Sequence, residues 1–311
     1  MARILSKVMS DRPRRWILLV CATAVLTLVA ACPPALHAAS KPTVTVGSKN
    51  FTEELVVGEM EALLLQNAGY QVNLKLNLGG TIIVHEALLR GDIDTYVEYT
   101  GTGLTAILKR PVVTNPQRVY TIVAQEYHKR FKLTWLRPWG FNDTYALVMR
   151  KDRAAKLGVK DISDLRRIAS TLTLGATQEF IVRPDGLPGL AKKYGGLTFK
   201  AVRGMDAGIM YQALASGQVD VISGFSTDGR IPALKLVPLV DDKHFFPPYF
   251  AAPVVRDSTL ARAPGIAAVL NKLAGRISDS TMARLNRQVD LDKKDPAAVA
   301  RAFLKQEGLI A

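Results

Sequence analysis

The chain has 311 residues with 41 Lys and Arg against 27 Asp and Glu, a net charge of +14. Its first 31 residues hold five bases and one acid, and the remaining excess is scattered among acids, the pattern of a solvated basic surface rather than a nucleic-acid tract. Cys21 and Cys32 are the only cysteines, so the body after them has no disulfide, no thiol nucleophile and no cysteine-based zinc site.

Arg3, Lys7, Arg12, Arg14 and Arg15 precede an apolar run from Trp16 to Ala31. A basic stretch before a short apolar one reads as a signal peptide over residues 1–31, and the run is shorter than the about 20 residues of a spanning helix. Val29-Ala30-Ala31-Cys32 resembles a bacterial lipobox, which makes Cys32 the lipidated first residue of the mature chain; cleavage near Ala38 or Ala39 is the alternative. The expected location is the periplasm or the extracytoplasmic face of a bacterial membrane, with membrane contact only through that anchor.

Thr43-Val44-Thr45-Val46 is a short β-type run ending in the turn Gly47-Ser48-Lys49-Asn50. From Thr52, Val56, Met60, Leu63 and Leu64 recur at helical spacing until Gly69, and Val72, Leu74 and Leu76 then alternate as a strand. Gly79-Gly80-Thr81 opens a second helix that Gly91 closes, and the strand DIDTYVEY follows. Strand, helix, strand is the signature of a parallel α/β sheet.

The same grammar restarts after about residue 144. TLTLGAT (171–177) is a strand, the segment around 185–195 a helix, LTFKAV (197–202) a strand, and 205–216 a helix ending at Gly217. LKLVPLV (234–240) and PVVR (253–256) are extended, and the chain closes with a helix capped by Asp295 with Pro296 at its first position. These elements predict two lobes joined by crossings near 144–147 and 253–256: residues 43–143 plus 256–311 in lobe 1, and 144–255 in lobe 2.

EALLRGDIDTYVEYTGTG (86–103) and QALASGQVDVISGFSTDG (212–229) repeat in register, pairing Leu88 with Leu214, Gly91 with Gly217, Asp94 with Asp220 and Tyr99 with Phe225. Each lobe therefore brings one aromatic residue to the end of an equivalent strand. Such rings fit either the core or a shared cleft.

Catalytic constellations are incomplete. His37, His85, His128 and His244 are dispersed; His85-Glu86 begins like a zinc-protease helix, but Leu89 stands where the second histidine belongs. Gly224-Phe225-Ser226-Thr227-Asp228 lacks the last glycine of a nucleophile elbow, and Gly101 to Ala106 is only a short formal match to a dinucleotide loop. Glu98, Glu179, Asp185 and Asp228 are acids that salt bridges and helix caps explain better than a catalytic pair. No enzyme, no cofactor and no metal is expected.

GSKNFTEELVVGEM (47–60), NLGGTIIVHEALLRGDIDTYVEYTGTG (77–103), GFNDTYAL (140–147), EFIVRPDG (179–186) and SGFSTDGRI (223–231) resemble the glycine betaine/choline-binding proteins of osmoprotectant ABC transporters. The resemblance runs from about residue 43 to 308. It implies an α/β periplasmic-binding-protein fold of type II, closing on a quaternary ammonium compound between two lobes and docking, as a monomer, on a membrane permease. The family's aromatic box falls on Tyr99, Tyr145, Phe225 and Tyr249, with Phe225 where a tyrosine is usual, and its polar anchors fall on Lys49, Thr102 and Arg183. Two cations beside the rings favour a zwitterion, glycine betaine first, with choline, carnitine and proline betaine as further candidates. A different small cation or an amino acid is the alternative ligand, and an exported enzyme on the same scaffold the rival class. Mass spectrometry of the exported protein is expected to find a lipid-modified Cys32; an unmodified N-terminus beyond Cys32 would refute the anchor.

Overall fold

Alternating strands and helices build two five-stranded sheets with the same internal plan. The computed structural model describes residues 41–311, so the signal peptide and Cys32 lie outside the described residues. Strands β1 (Thr43–Gly47), β2 (Gln71–Lys75), β3 (Thr95–Tyr99), β4 (Leu133–Trp135) and the late strand β10 (Ala251–Arg256) form the first sheet in the order β2-β1-β3-β10-β4. Strands β5 (Tyr145–Arg150), β6 (Thr173–Ala176), β7 (Ala201–Gly204), β8 (Val221–Phe225) and β9 (Leu236–Pro238) form the second in the order β7-β6-β8-β5-β9. In each sheet three parallel strands meet one antiparallel strand that has arrived from the other half of the chain.

Helix α1 (Thr52–Asn67) buries Val56, Met60, Leu63 and Leu64, as their spacing requires, and the chain turns at Gly69 with φ +85°. Helix α2 (Thr81–Arg90) and helix α3 (Ala207–Ala215) are the repeated pair, and the turns after them place Gly91 and Gly217 at φ +82° and +78°. These left-handed positions are what glycine supplies without steric cost. Helices α4 (Asp279–Asp290) and α5 (Pro296–Gln306) come back onto α1, where Met282, Leu285, Val299 and Phe303 share a core with Val56 and Met60.

The second crossing differs from its expected place. Residues 251–256 pair with β3 from Ala251↔Tyr99 to Val255↔Thr95 and with β4 on the other side, so this strand is internal to the first sheet. The chain therefore crosses before Ala251, beside the bridge Asn142↔Phe250, and not near 253–256. Pro253 hides the strand, because proline is expected at sheet edges rather than inside them. The strand expected over 197–202 forms instead at Ala201–Gly204, while Leu197 and Phe199 turn into the core. A helix over Pro116–Phe131 was not among the expected elements, although Asn115 caps it, Pro116 opens it and the buried Val119, Val123 and Tyr127 recur every fourth residue.

The two repeat aspartates occupy the same structural position with different support. Asp94 accepts from Thr45 N at 2.8 Å, Thr259 Oγ1 at 2.6 Å and Arg262 Nη2 at 2.5 Å. Asp220 accepts from Thr173 N at 3.0 Å, with Arg153 no nearer than 3.9 Å. Asp94→Ala is expected to cost about 2–3 kcal/mol in urea unfolding and Asp220→Ala about 1 kcal/mol, since orphaned buried donors set the penalty. Equal losses would contradict this account.

Candidate functional site

Tyr99 ends β3 and Phe225 ends β8, each the middle strand of its sheet. Tyr145 opens β5 directly opposite Phe225, and Tyr249 lies just ahead of β10, whose Ala251 faces Tyr99. Both crossings thus deliver a tyrosine to the strand end that carries the repeated aromatic. A cavity of about 250 Å³ results, lined by all seven residues singled out in the sequence: Lys49, Tyr99, Thr102, Tyr145, Arg183, Phe225 and Tyr249.

The rings form a chain. Tyr145 sits 5.3 Å from Phe225 and edge-on to Tyr249 at 5.6 Å. Phe51, which sequence reasoning passed over, completes it: its ring stacks on Phe225 at 5.9 Å with an interplanar angle of 1° and lies 6.2 Å from Tyr99. A signal for Phe51 existed, because it occupies the cap position of α1, where small polar residues are normal, and supplies no capping hydrogen bond. Gly101 makes room for Tyr249, since a Cβ there would stand 2.7 Å from that ring.

Buried carboxylates hold the polar atoms. The Tyr99 hydroxyl donates to Glu53 Oε1 at 2.8 Å and that of Tyr249 to Asp185 Oδ2 at 2.7 Å. Arg183 places Nε and Nη2 on Asp185 at 2.9 and 2.6 Å, reaches Thr102 Oγ1 at 3.3 Å with Nη2, and lies over the Tyr145 ring at 5.7 Å. Burial pushes the Asp185 carboxyl up, but the Arg183 guanidinium and the bonds from Arg183 and Tyr249 outweigh it and hold the group below the usual range. Lys49 contacts Glu98 Oε1 at 2.5 Å, stands 3.9 Å from Glu54, and lies 4.7 Å from the Tyr99 ring centroid. Burial raises Glu54 to about 8 despite that lysine.

The four acids weighed in the sequence all serve in pairs or caps. Glu98 holds Lys49, Asp185 holds Arg183, and Asp228 holds Arg230 through Nε at 2.9 Å. Glu179 receives Thr81 N at 2.6 Å, capping α2 from the side of the second sheet. His85 is buried against the edges of Tyr127 and Phe131, where burial lowers its pKa to about 4, and it does not line the cavity.

The family described as the substrate-binding domain of ABC-type glycine betaine transport systems matches residues 42–306. The chain belongs to this family. It is 37% identical over 287 residues to the carnitine transport binding protein OpuCC of Listeria monocytogenes, covering 91% of this chain and 93% of that protein. It is 33% identical to the glycine betaine-binding protein YehZ of Escherichia coli, covering 91% and 96%. A crystal structure of a glycine betaine/carnitine/choline ABC transporter protein superimposes with a TM-score of 0.71 at 37% identity, covering 86% of this chain and 99% of that one.

The two sheets are accordingly the lobes of a type II periplasmic-binding-protein fold with the cavity between them. A substrate-binding protein of an ABC transporter is not an enzyme; it captures a small molecule on the extracytoplasmic side for a partner permease. No helix among the described residues is long and apolar enough to cross a membrane.

Proposed function

We propose that the cavity binds a quaternary ammonium osmoprotectant, glycine betaine first, for import through an ABC permease. The observation that carries this reading is the chain of five rings, Tyr99, Phe51, Phe225, Tyr145 and Tyr249, around one cavity with Arg183 at its side. A trimethylammonium group has no N–H, so hydrogen-bond acceptors do not select it, whereas ring faces attract its charge and accept its methyls. Each such contact contributes about 0.5–2 kcal/mol.

Ion pairing revises the roles of the two cations. Arg183 already holds Asp185 with Nε and Nη2 and reaches Glu179 Oε2 with Nη1 at 3.4 Å, so a ligand carboxylate takes Nη1, with the Thr102 hydroxyl nearby, by displacing that long contact to the partly exposed Glu179. Lys49, tied to Glu98, acts by fixing the Tyr99 ring from behind and balancing buried charge. Choline is the second reading, because with Glu98 and Asp185 opposite them neither cation presents an uncompensated charge. The same reading has the protein exported, monomeric and anchored through Cys32, with residues from 43 to about 143 and from 251 onward in one lobe and 144–250 in the other.

Calorimetric titration with glycine betaine, proline betaine, choline, carnitine and proline tests the assignment. Micromolar binding of at least one quaternary ammonium compound is expected, and no binding of any of them would sink it. Tyr99→Ala and Phe51→Ala are each expected to weaken binding about tenfold or more, the size of one lost ring contact, while Tyr70→Ala, in a separate core cluster, leaves it nearly intact. Arg183→Ala is expected to hurt glycine betaine more than choline; equal losses would make Arg183 purely structural.

A further inference from the structure

On the far side of Phe51 and Phe225, a second cavity of about 260 Å³ includes a buried polar junction in its wall. At that junction the Thr227 hydroxyl lies 2.6 Å from Glu53 Oε2 and 2.6 Å from Asp143 Oδ1. All three side chains are buried: Thr227 is 1%, Glu53 3% and Asp143 7% exposed. Glu53 belongs to α1 against the first sheet, Thr227 follows the middle strand of the second, and Asp143 lies in the segment that crosses from β4 to β5.

A hydroxyl carries one hydrogen, so it donates to one of these oxygens and must accept from the other. With both carboxyls ionised, one of the two 2.6 Å contacts would set lone pair against lone pair in a site shielded from water. One of the pair is therefore an acid, and the neighbouring donors say which. Glu53 also receives the Tyr99 hydroxyl on Oε1 and Asn286 Nδ2 on Oε2, both at 2.8 Å. The Asn286 amide is oriented by a second bond from Nδ2 to the Thr227 carbonyl at 3.1 Å. Asp143 Oδ1 has, besides the hydroxyl, only the Thr227 backbone N–H at 3.3 Å. Three donors suit a carboxylate at Glu53; the proton belongs on Asp143, which donates to Thr227, which donates onward to Glu53.

We propose that Asp143 is a protonated positioning residue whose hydrogen bond through Thr227 joins the two sheets, so that drawing them together around a ligand takes up a proton. The charged and titratable surroundings agree. Glu53 and Tyr99 face the junction from the first sheet with Glu54 and Lys49 behind them, Asp228 with its partner Arg230 faces it from the second, and Asp290 lies 3.5 Å from Arg230 on α4. One nearby arginine among Glu53, Asp143, Asp228 and Asp290 leaves an excess of acid. Burial first, and then the charge of Glu53, push the Asp143 carboxyl well above its ordinary range, while burial brings Glu53 to about 7. The link to ligand rests on the proposed function: Glu53 orients the Tyr99 ring, and Thr227 is two residues beyond Phe225, so the bridge fixes one cavity ring from each sheet.

The sign follows from linkage. Separating the sheets hydrates Asp143 and releases its proton at neutral pH, so the joined form binds more protons and loses ground as pH rises. Titration with glycine betaine from pH 6 to 9, in buffers of different ionisation enthalpy, reads the proton directly, because this ligand has no group that titrates there. Proton uptake is expected, with Kd rising by up to about tenfold per pH unit over the range in which the separated form has lost the proton and the joined form still holds it. Asp143→Asn, which keeps an N–H donor in place of the acid, is expected to bind without proton uptake and with a flat profile. Wild-type binding without uptake, or an Asn variant with the same slope, would overturn the proposal.

Should no quaternary ammonium compound bind, the functional reading fails and ligand-free unfolding decides this one separately. A folded-state pKa above the unfolded value of about 3.8 contributes stability that is present below about pH 4 and is lost as pH rises through the folded value. Wild type is therefore expected to lose stability with rising pH more steeply than Asp143→Asn. Superimposable profiles overturn the proposal.

Discussion

Every hydrogen-bonded tyrosine hydroxyl and every cation on the cavity wall ends on a buried carboxyl group, and the site depends on that constraint. Lys49 ends on Glu98, Arg183 and Tyr249 on Asp185, and Tyr99 on Glu53. Buried charge is tolerated only when paired and hydrogen-bonded. Here the pairing has a second consequence: it engages the polar atoms of the wall and leaves five rings lining the space between the sheets. A cation lacking N–H groups then meets the one kind of surface suited to it.

The duplicated sheet plan explains why the rings converge. In each sheet the middle parallel strand ends in an aromatic residue, Tyr99 or Phe225, and its antiparallel neighbour has come from the other half of the chain. Each crossing carries its own tyrosine, Tyr249 or Tyr145, to that same end. Four rings are thus delivered by two copies of one topological device. Phe51 is the exception, and it spans the junction by stacking flat on Phe225. The same junction carries the bridge Glu53, Thr227 and Asp143, so the packing of the rings and the protonation of the acids beneath them are parts of one contact.

The repeat also shows where equivalence ends. Asp94 and Asp220 both bind the backbone of a neighbouring strand, yet Asp94 has gathered Thr259 and Arg262 from the returning chain while Asp220 has no comparable support. Thr259 and Arg262 belong to the short helix Asp257–Arg262 that directly follows β10, whereas the corresponding helix after β5, Lys151–Leu157, brings only Arg153 and no nearer than 3.9 Å. Similarly, Phe225 lacks the hydroxyl that anchors Tyr99, and its place is held instead from the backbone, whose N–H donates to Tyr211 Oη at 2.9 Å.

Read alone, the residue order determined the alternation of strands and helices, the turns at Gly91 and Gly217 and the two-lobed plan, which rest on periodicity and on the conformational freedom of glycine, both local properties. The seven residues that meet in one cavity came from the resemblance of five motifs to a known family, since periodicity alone left the rings open between core and cleft. The membership of β10 in the first sheet, the stacking of Phe51 on Phe225, the pairing of Lys49 and Arg183, and the bridge through Thr227 were decided only by the tertiary structure. Each joins residues far apart in the chain, and whether a buried lysine faces a ligand or a glutamate depends on distances that no local pattern records. Sequence named the rings; folding set which charges stand behind them.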